Sequence, residues 1–302
     1  MAIIGASGWV GMALVDQVLA ACPDLPPDRL RLFGSSVRDL KLGGRQVRTE
    51  PLDALASLGN GDWLVLHAAI VGDDRVEGGD PPEVRRRNDA LLDQVLALAE
   101  TGRTRRLVAF SSGAAARPEA GSPTRRAYAA LKRDHENVVA EWARRTGRAV
   151  LIPRIFNLGG PFINHAEAYA LGDFILALSR HGRIAIGAAD PVFRSFVHVS
   201  EMARVILDMA VDEAQSAEPF DIGGGEIIEL GALALAVGQA LERADATIER
   251  PEPSDGAGDW YVGDGRRYQS ALFQRGEHPT PLTRIVADTV AYLKAAGALT
   301  GA

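Results

Sequence analysis

Tyr128 and Lys132 are the two side chains in this sequence whose types and spacing most directly suggest chemistry. They stand four residues apart in a stretch, 128–144, with helical character. Residues at that spacing share one helix face, so a phenol and an ammonium lie side by side. A nearby positive charge favours the phenolate and lowers the tyrosine pKa. A tyrosine tuned in this way can take a proton from a hydroxyl near neutral pH, or return one. The pentapeptide alone is a weak signal and fits an exposed lysine beside a half-buried tyrosine more readily. Two other stretches weigh against that simpler reading.

The first is the N-terminus. Residues 1–4 are apolar and read as the end of a strand, and 12–21 carry a helical pattern. Between them stand Gly5-Ala6-Ser7-Gly8-Trp9-Val10-Gly11. Glycines that end a strand and open a helix allow a tight turn and close approach of a pyrophosphate, while the helix N-terminus offers N–H groups to phosphate. The alternative is a glycine-rich turn without a ligand. The second stretch is an apolar strand, 106–110, that ends in Ser111, Ser112 and Gly113. Ser112 could hydrogen-bond the oxygen on which Tyr128 acts; the plainer alternative is that Ser111 and Ser112 cap the next turn of the chain.

With these stretches in hand, the chain resembles the extended short-chain dehydrogenase/reductases of the NAD(P)-dependent epimerase/dehydratase type, which act mainly on nucleotide sugars. The resemblance covers nearly the whole chain. It rests on Gly5-x-x-Gly8-x-x-Gly11, His67-Ala68-Ala69, Asn88, Ser112, Tyr128-x-x-x-Lys132, Pro153-Arg154-Ile155-Phe156-Asn157 and Arg194-Ser195-Phe196-Val197-His198-Val199, in the family's order. It implies that Tyr128 is the general acid/base, that Lys132 tunes it and holds the nicotinamide ribose, and that Ser112 orients the reacting oxygen. It further implies cofactor contacts at Gly5, Ser7, Gly8, Trp9, Val10, Gly11, Leu52, His67, Ala68, Ala69, Asn88, Ser111, Pro153 and Ile155. Ser112, Gly113, Asn157 and Arg194 would face substrate, the arginine on its diphosphate.

One position bears on the cofactor. The second strand, 30–33, runs into Gly34-Ser35-Ser36-Val37-Arg38. NAD-binding relatives usually place an acid here for the ribose hydroxyls. Residues 34–36 include none, and Ser35, Ser36 and Arg38 could hold a 2′-phosphate instead. NADP is therefore favoured over NAD; an exposed loop arginine is the alternative for Arg38. A second departure concerns the reaction. Dehydratases of the family carry an acidic pair just after the serine or threonine, where this chain has Gly113 and Ala114. A reductase or dehydrogenase is therefore expected, with an epimerase as the alternative. A nucleotide-binding sensor or assembly protein is the alternative of another class; such relatives typically lose the Tyr or the Lys.

The rest of the chain supplies the framework for these residues. The 302 residues suffice for one large or two modest domains, and 47% are hydrophobic, enough for a full core. A net charge of −6 argues against nucleic acid as the main partner. The clusters at 85–87 and 103–106 read as solvated surface. One cysteine, Cys22, excludes an internal disulfide. The expectation is a cytoplasmic protein with no membrane partner and no metal, acting on a nucleotide sugar as a homodimer, the last by resemblance. Only four residues precede Gly5, which leaves open a start upstream of Met1.

Apolar stretches alternate with helical ones through Asn157, which predicts an α/β fold with a doubly wound parallel (Rossmann) sheet. A weak third strand is expected at 46–48 and a buried one at 63–67. A polar loop at 73–82 could overhang the site, and Asn88 should open a helix at 90–100. Residues 1–157 would form the dinucleotide-binding domain and 158–302 mainly a smaller α+β substrate-binding domain. Segments near 193–200 and 218–224 would return to the Rossmann half. Ser200 is a plausible cap for a helix at 201–210, and 251–265 reads as a loop.

Overall fold

The apolar residues at the N-terminus form a strand with neighbours on both sides. In the computed structural model, which describes residues 1–59, 61–71, 80–101, 104–212, 216–252, 254 and 256–299, β1 (Ala2–Ile4) lies fully buried at the centre of a sheet. The glycine turn and α1 (Trp9–Ala21) come next, then β2 (Arg31–Gly34). After them stand β3 (Asp39–Leu42), β4 (Arg45–Arg48), β5 (Glu50–Pro51), β6 (Leu64–His67) and α2 (Pro81–Thr101). β7 (Arg106–Ala109), β8 (Ser111–Ser112), α3 (Pro123–Thr146), β9 (Ala149–Leu151) and β10 (Pro153–Ile155) complete this half.

Six of these strands form one parallel sheet in the order β5-β2-β1-β6-β7-β9. Counted along the chain within that sheet, this is the doubly wound order, which reverses between β1 and β6; ligands of such sheets bind at the reversal, outside the strands' carboxyl ends. The strands are short and almost wholly buried, and Leu92, Val95, Val139 and Trp142 of α2 and α3 pack with Val65, Leu107 and Val150 in one core cluster. Each such side chain contributes about 1.5–3 kcal/mol on burial.

Two expectations are corrected here. Residues 46–48 form a strand as expected, within β4, but not one of the parallel sheet. Gly43 and Gly44 both take positive φ, 53° and 73°, as a two-residue hairpin turn requires, so β3 and β4 pair with each other, antiparallel. The sheet's edge is β5 instead, where Pro51 is tolerated because an edge strand need not donate on its open side. Asn88 does not open its helix either. α2 begins at Pro81, and the Asn88 side chain turns back to the Val84 carbonyl. The loop expected at 73–82 falls mostly on 72–79, outside the described residues, as does Arg103. Arg85, Arg86 and Arg87 lie on α2 in ion pairs with Asp134, Asp89 and Glu83.

The chain divides into two units, one comprising Met1–Ile155 and Ala203–Phe220, the other Phe156–Met202 and Asp221–Ala302. The stretch that returns to the first unit is thus 203–220, most of it the later turns of a helix. It is tied there by Arg106, whose buried guanidinium donates to the Met209 carbonyl.

The second unit contains β11 (Asn157–Gly159), α4 (Ala170–His181), β12 (Arg183–Ala185), β13 (Val192–His198) and the start of α5 (Val199–Asp212). β14 (Phe220–Ile222) leads into it, followed by β15 (Ile227–Glu229), α6 (Leu230–Ala240), β16 (Thr247–Glu249), β17 (Asp259–Tyr261), α7 (Arg266–Phe273) and α8 (Leu282–Ala295). β13 is its central strand, parallel to β11 and β17 and antiparallel to β15. The expected loop at 251–265 therefore carries a strand, because β13 has a side that β17 can pair with. Ser200 is not the cap of α5: the helix starts at Val199, and the His198 ring accepts the Ser200 amide at Nδ1 (3.2 Å).

Candidate active site

The glycine turn lies where the sheet reverses. Gly5 and Ala6 both donate to the Phe33 carbonyl, at 2.8 and 2.9 Å. A Cβ on Gly5 would stand 2.6 Å from the Ala69 amide nitrogen, and one on Gly11 2.0 Å from the Gly5 carbonyl oxygen. These two glycines let β1, the stretch after β6 and α1 meet backbone to backbone. Gly8 is different: a Cβ there would meet only the Gly5 carbonyl oxygen, at 3.3 Å. It caps α1 with no side chain, and the helix's first turn carries no acid. A helix terminus so built fits an anion such as a pyrophosphate. Trp9 is buried, and a Cβ on Gly34 would stand 2.9 Å from the Ser7 hydroxyl.

Ser35, Ser36 and Arg38 are exposed at the end of β2, the Arg38 Nε donating to the Ser36 hydroxyl at 3.3 Å. Thr49 holds this corner, its hydroxyl accepting the Arg38 amide and donating to the Ser36 carbonyl. Leu52 starts a 3-10 turn against the core cluster. Asn88 is 4% exposed and spends its amide on backbone, exchanging two hydrogen bonds with Val71 and donating to Val84. It anchors the segment that leaves β6.

Tyr128 and Lys132, the residues expected to handle the proton, sit on α3. Ser122 accepts the Arg125 amide as N-cap, Pro123 follows, and Gly147 ends the helix in the left-handed conformation, which is the ordinary start and stop chemistry. Tyr128 and Lys132 are therefore one turn apart on a continuous helix. Tyr128 is 38% exposed. The Lys132 Nζ donates to the Phe110 carbonyl at 3.2 Å. Burial pushes the ammonium pKa down to about 8, opposed by the negative charge of Glu136. Ser112 caps the 3-10 turn at Gly113–Ala116, its hydroxyl accepting the Ala114 amide at 3.2 Å.

Behind these residues lies a buried polar cluster that sequence reading missed. Glu136, one turn beyond Lys132, is 3% exposed. It accepts Ser111 Oγ at 2.6 Å and a bidentate pair from Arg154, at 2.8 and 2.6 Å. Ser111 and Arg154 are register neighbours in the parallel pair β8–β10. The Ser111 hydroxyl is thus turned to Glu136. Pro153 and Ile155 flank Arg154 on β10. His135 Nε2 lies 2.8 Å from Asp89 Oδ1 on α2, and burial lowers its pKa against that carboxylate's pull. His67, at the end of β6, is 7% exposed, and burial with the positive charge of Lys132 brings its pKa down to about 3. The signal for Glu136 was present, since 128, 132 and 136 fall on one helix face.

The remaining predicted residues belong to the second unit. Asn157 Nδ2 donates to the carbonyls of Ser195 (3.0 Å) and Tyr261 (3.3 Å), tying β11 to β13 and β17. Arg194 is held by the backbone oxygens of Phe193 and Asp259 and by the Asp259 carboxylate at 2.6 Å. Asp190 and Glu201, the acids nearest in sequence, are engaged elsewhere: Asp190 by Ser254, Glu201 by Tyr268 and Thr280. The strand β17, invisible as such in the sequence, supplies the partner. Among the described residues no group of three or more His, Cys, Asp or Glu could hold a metal ion, and no helix is long and apolar enough to cross a membrane.

Solved structures of similar fold span this chain almost entirely. A UDP-N-acetylglucosamine 4-epimerase from Methanobrevibacter ruminantium in complex with UDP-N-acetylmuramic acid has a TM-score of 0.77 at 17% identity, covering 98% of each chain. A dTDP-glucose 4,6-dehydratase from Streptomyces venezuelae, a double mutant with NAD bound, has a TM-score of 0.73 at 21% identity, covering 97% of this chain and 96% of its own. A GDP-mannoheptose C4 reductase from Campylobacter jejuni with NADP bound has a TM-score of 0.73 at 16% identity, covering 97% of each. At these identities the likeness is one of fold. No curated protein sequence matches the chain. The model of the NAD dependent epimerase/dehydratase family matches residues 1–223, and with a glycine turn at the sheet reversal and Tyr128 and Lys132 on one helix, the chain belongs to that family.

Proposed function

We propose that the protein is an NAD(P)-dependent enzyme that reduces or oxidises a nucleotide-linked sugar, with Tyr128 as its acid/base. The observation that carries this reading is the Lys132 ammonium, fixed on the Phe110 carbonyl one helical turn from Tyr128, with a pKa lowered to about 8. In reduction the Tyr128 hydroxyl gives its proton to the keto oxygen; in oxidation the phenolate takes one from the sugar hydroxyl. Ser112 donates to that oxygen, and Gly113 and Asn157 border the sugar. Arg194 would serve the diphosphate by exchanging the Asp259 carboxylate for phosphate oxygens. The nicotinamide, when bound, supplies or removes hydride at the adjacent carbon.

The residues present suit that cofactor. Gly5, Ser7, Gly8, Trp9, Val10 and Gly11 would hold its pyrophosphate, Leu52 its adenine, and His67, Ala68, Ala69, Asn88, Ser111, Pro153 and Ile155 would line the nicotinamide end beside Lys132. Ser35, Ser36 and Arg38 favour NADP over NAD. A water-eliminating reaction is disfavoured because the turn after Ser112 is Gly113-Ala114-Ala115-Ala116, with no acid. An epimerase is the second reading, favoured by the fold likeness to a 4-epimerase. We further propose a cytoplasmic homodimer formed through α2 and α3.

The deciding experiment is an activity screen of nucleotide-linked keto-sugars with NADH and NADPH. Wild type should turn over at least one, and Tyr128→Phe should lose about 10²–10⁴-fold in kcat while binding nucleotide as before. A Phe variant of near-normal kcat, or a protein that binds nucleotide but turns over nothing, would end this reading. Titrating both cofactors against Arg38→Ala tests the corner after β2: NADP(H) affinity should fall about tenfold, the loss of one charge-assisted contact, with NAD(H) unchanged.

A further inference from the structure

The cluster behind Lys132 borders a small space. His67, Ser111, Lys132, His135 and Glu136 line one cavity of about 20 Å³ in the first unit. A water needs room for about one probe sphere and two to four polar partners, so this space can hold a water. His67 is 7% exposed, and its Nδ1 is wholly buried without a hydrogen-bond partner among the described residues. Buried polar atoms in folded proteins are almost always satisfied, by protein or by ordered water.

The groups around the cavity narrow what can satisfy it. From β8, β10 and α3, Ser111 and Arg154 are engaged with Glu136. From α2, Asp89 meets His135, with Arg85 beside Asp89. Lys132 gives one bond to Phe110, and an ammonium has three hydrogens to give. A neutral imidazole carries one donor and one acceptor nitrogen, and beside a cation the acceptor is the nitrogen that is stabilised facing it.

We propose that one ordered water occupies this cavity, accepting from Lys132 Nζ and donating to His67 Nδ1, and that His67 is thereby a positioning residue for the Lys132 ammonium. The low pKa of His67, about 3, keeps the ring neutral and able to accept at any pH the enzyme would meet. The importance of this arrangement rests on the role given to Lys132 above; the arrangement itself can be read without any activity.

The test uses the cofactor-free, full-length protein. In wild type, nitrogen-15 spectra of the histidine rings should show His67 as the tautomer protonated at Nε2; a proton on Nδ1 overturns the proposal. The chain's lysines are Lys41, Lys132 and Lys294, so carbon-13 labelling at the lysine ε position gives a spectrum simple enough to titrate Lys132. His67→Leu, which fills the cavity and removes the acceptor, should lower the Lys132 pKa by about one unit, as loss of a hydrogen bond to a charged group implies. His67→Gln, whose amide oxygen can accept, should return it close to wild type. An unchanged Lys132 titration in His67→Leu, or a His67→Gln value as low as the leucine variant, overturns the proposal. If the leucine variant does not fold, the wild-type tautomer and the glutamine variant decide. Failure of the keto-sugar screen would overturn the function proposed above and leave these spectra standing. An unmoved Lys132 in an active enzyme would do the reverse.

Discussion

Among the described residues two glutamates are buried, and they are satisfied by opposite chemistry. Glu136 in the first unit is 3% exposed and meets a guanidinium in a bidentate pair, with the Ser111 hydroxyl as a third donor. Glu201 in the second unit is 7% exposed and meets no cation in the bonds it makes to Tyr268 Oη (2.5 Å), Thr280 N (2.6 Å) and Thr280 Oγ1 (2.5 Å). Glu201 closes a corner of structure: it pins α7 and the approach to α8 onto the start of α5. Glu136 does that for β8, β10 and α3, and it also lies one turn from Lys132, whose charge it supports. Burial and residue type alone therefore do not identify a site residue. What separates the two is the cation that Glu136 holds and that the bonds of Glu201 do not include.

Glu136→Ala is the largest way to break that contrast. It would take the Glu136 carboxylate from the partly buried Arg154 and from Ser111, a loss on the order of 3 kcal/mol, the lower end for a buried pair, read as a fall in the denaturant midpoint at unchanged slope. A loss under about 1 kcal/mol would mean that Arg154 is rehydrated and that the pair is less buried than its geometry states. Glu201→Ala should cost less, about 1–3 kcal/mol, because the groups left behind are neutral donors. Equal losses at both positions would remove the distinction drawn here.

The first unit also has a pH signature. Lys132 has a folded pKa of about 8, against 10.5 for a free lysine side chain. Between those values the unfolded chain holds a proton that the folded one has released, so stability should rise with pH across that window and be flat in this respect below it. Lys132→Met should abolish the rise. His67, with a folded pKa of about 3 against 6.5, makes stability fall as pH drops from 6.5 toward 3, and His67→Leu should flatten that limb. Unfolding free energies of each variant against wild type across both windows check the two slopes.

How much of the molecule was legible before folding depends on the range of the interactions involved. The parallel sheet, α1, α3 and the glycine turn follow from local pattern: apolar runs of strand length, glycines where backbones touch, and Ser122-Pro123 with Gly147 bounding a helix. The pattern at 46–48 was enough to suggest a strand, which is there as β4, but not which strand it pairs with. Only the positive φ angles at both glycines show that β4 folds back on β3. The spacing of Tyr128 and Lys132 determined that they share a helix face, since four residues make one turn whatever surrounds them.

Packing in three dimensions set which partners those side chains meet. Glu136, Ser111 and Arg154 are scattered along the chain and converge only because β8 and β10 pair in register under α3. Asp259 reaches Arg194 because β17 adds to β13, a pairing with no local signature. His67 reads as a histidine at a strand end; its burial, its neutral ring and its place beside Lys132 exist only when β6 and α3 are packed. Hydrogen bonds and charges act over a few ångströms of space, which sequence separation does not measure, so the sequence determined that Tyr128 and Lys132 share a helix face and the fold decided their electrostatic setting.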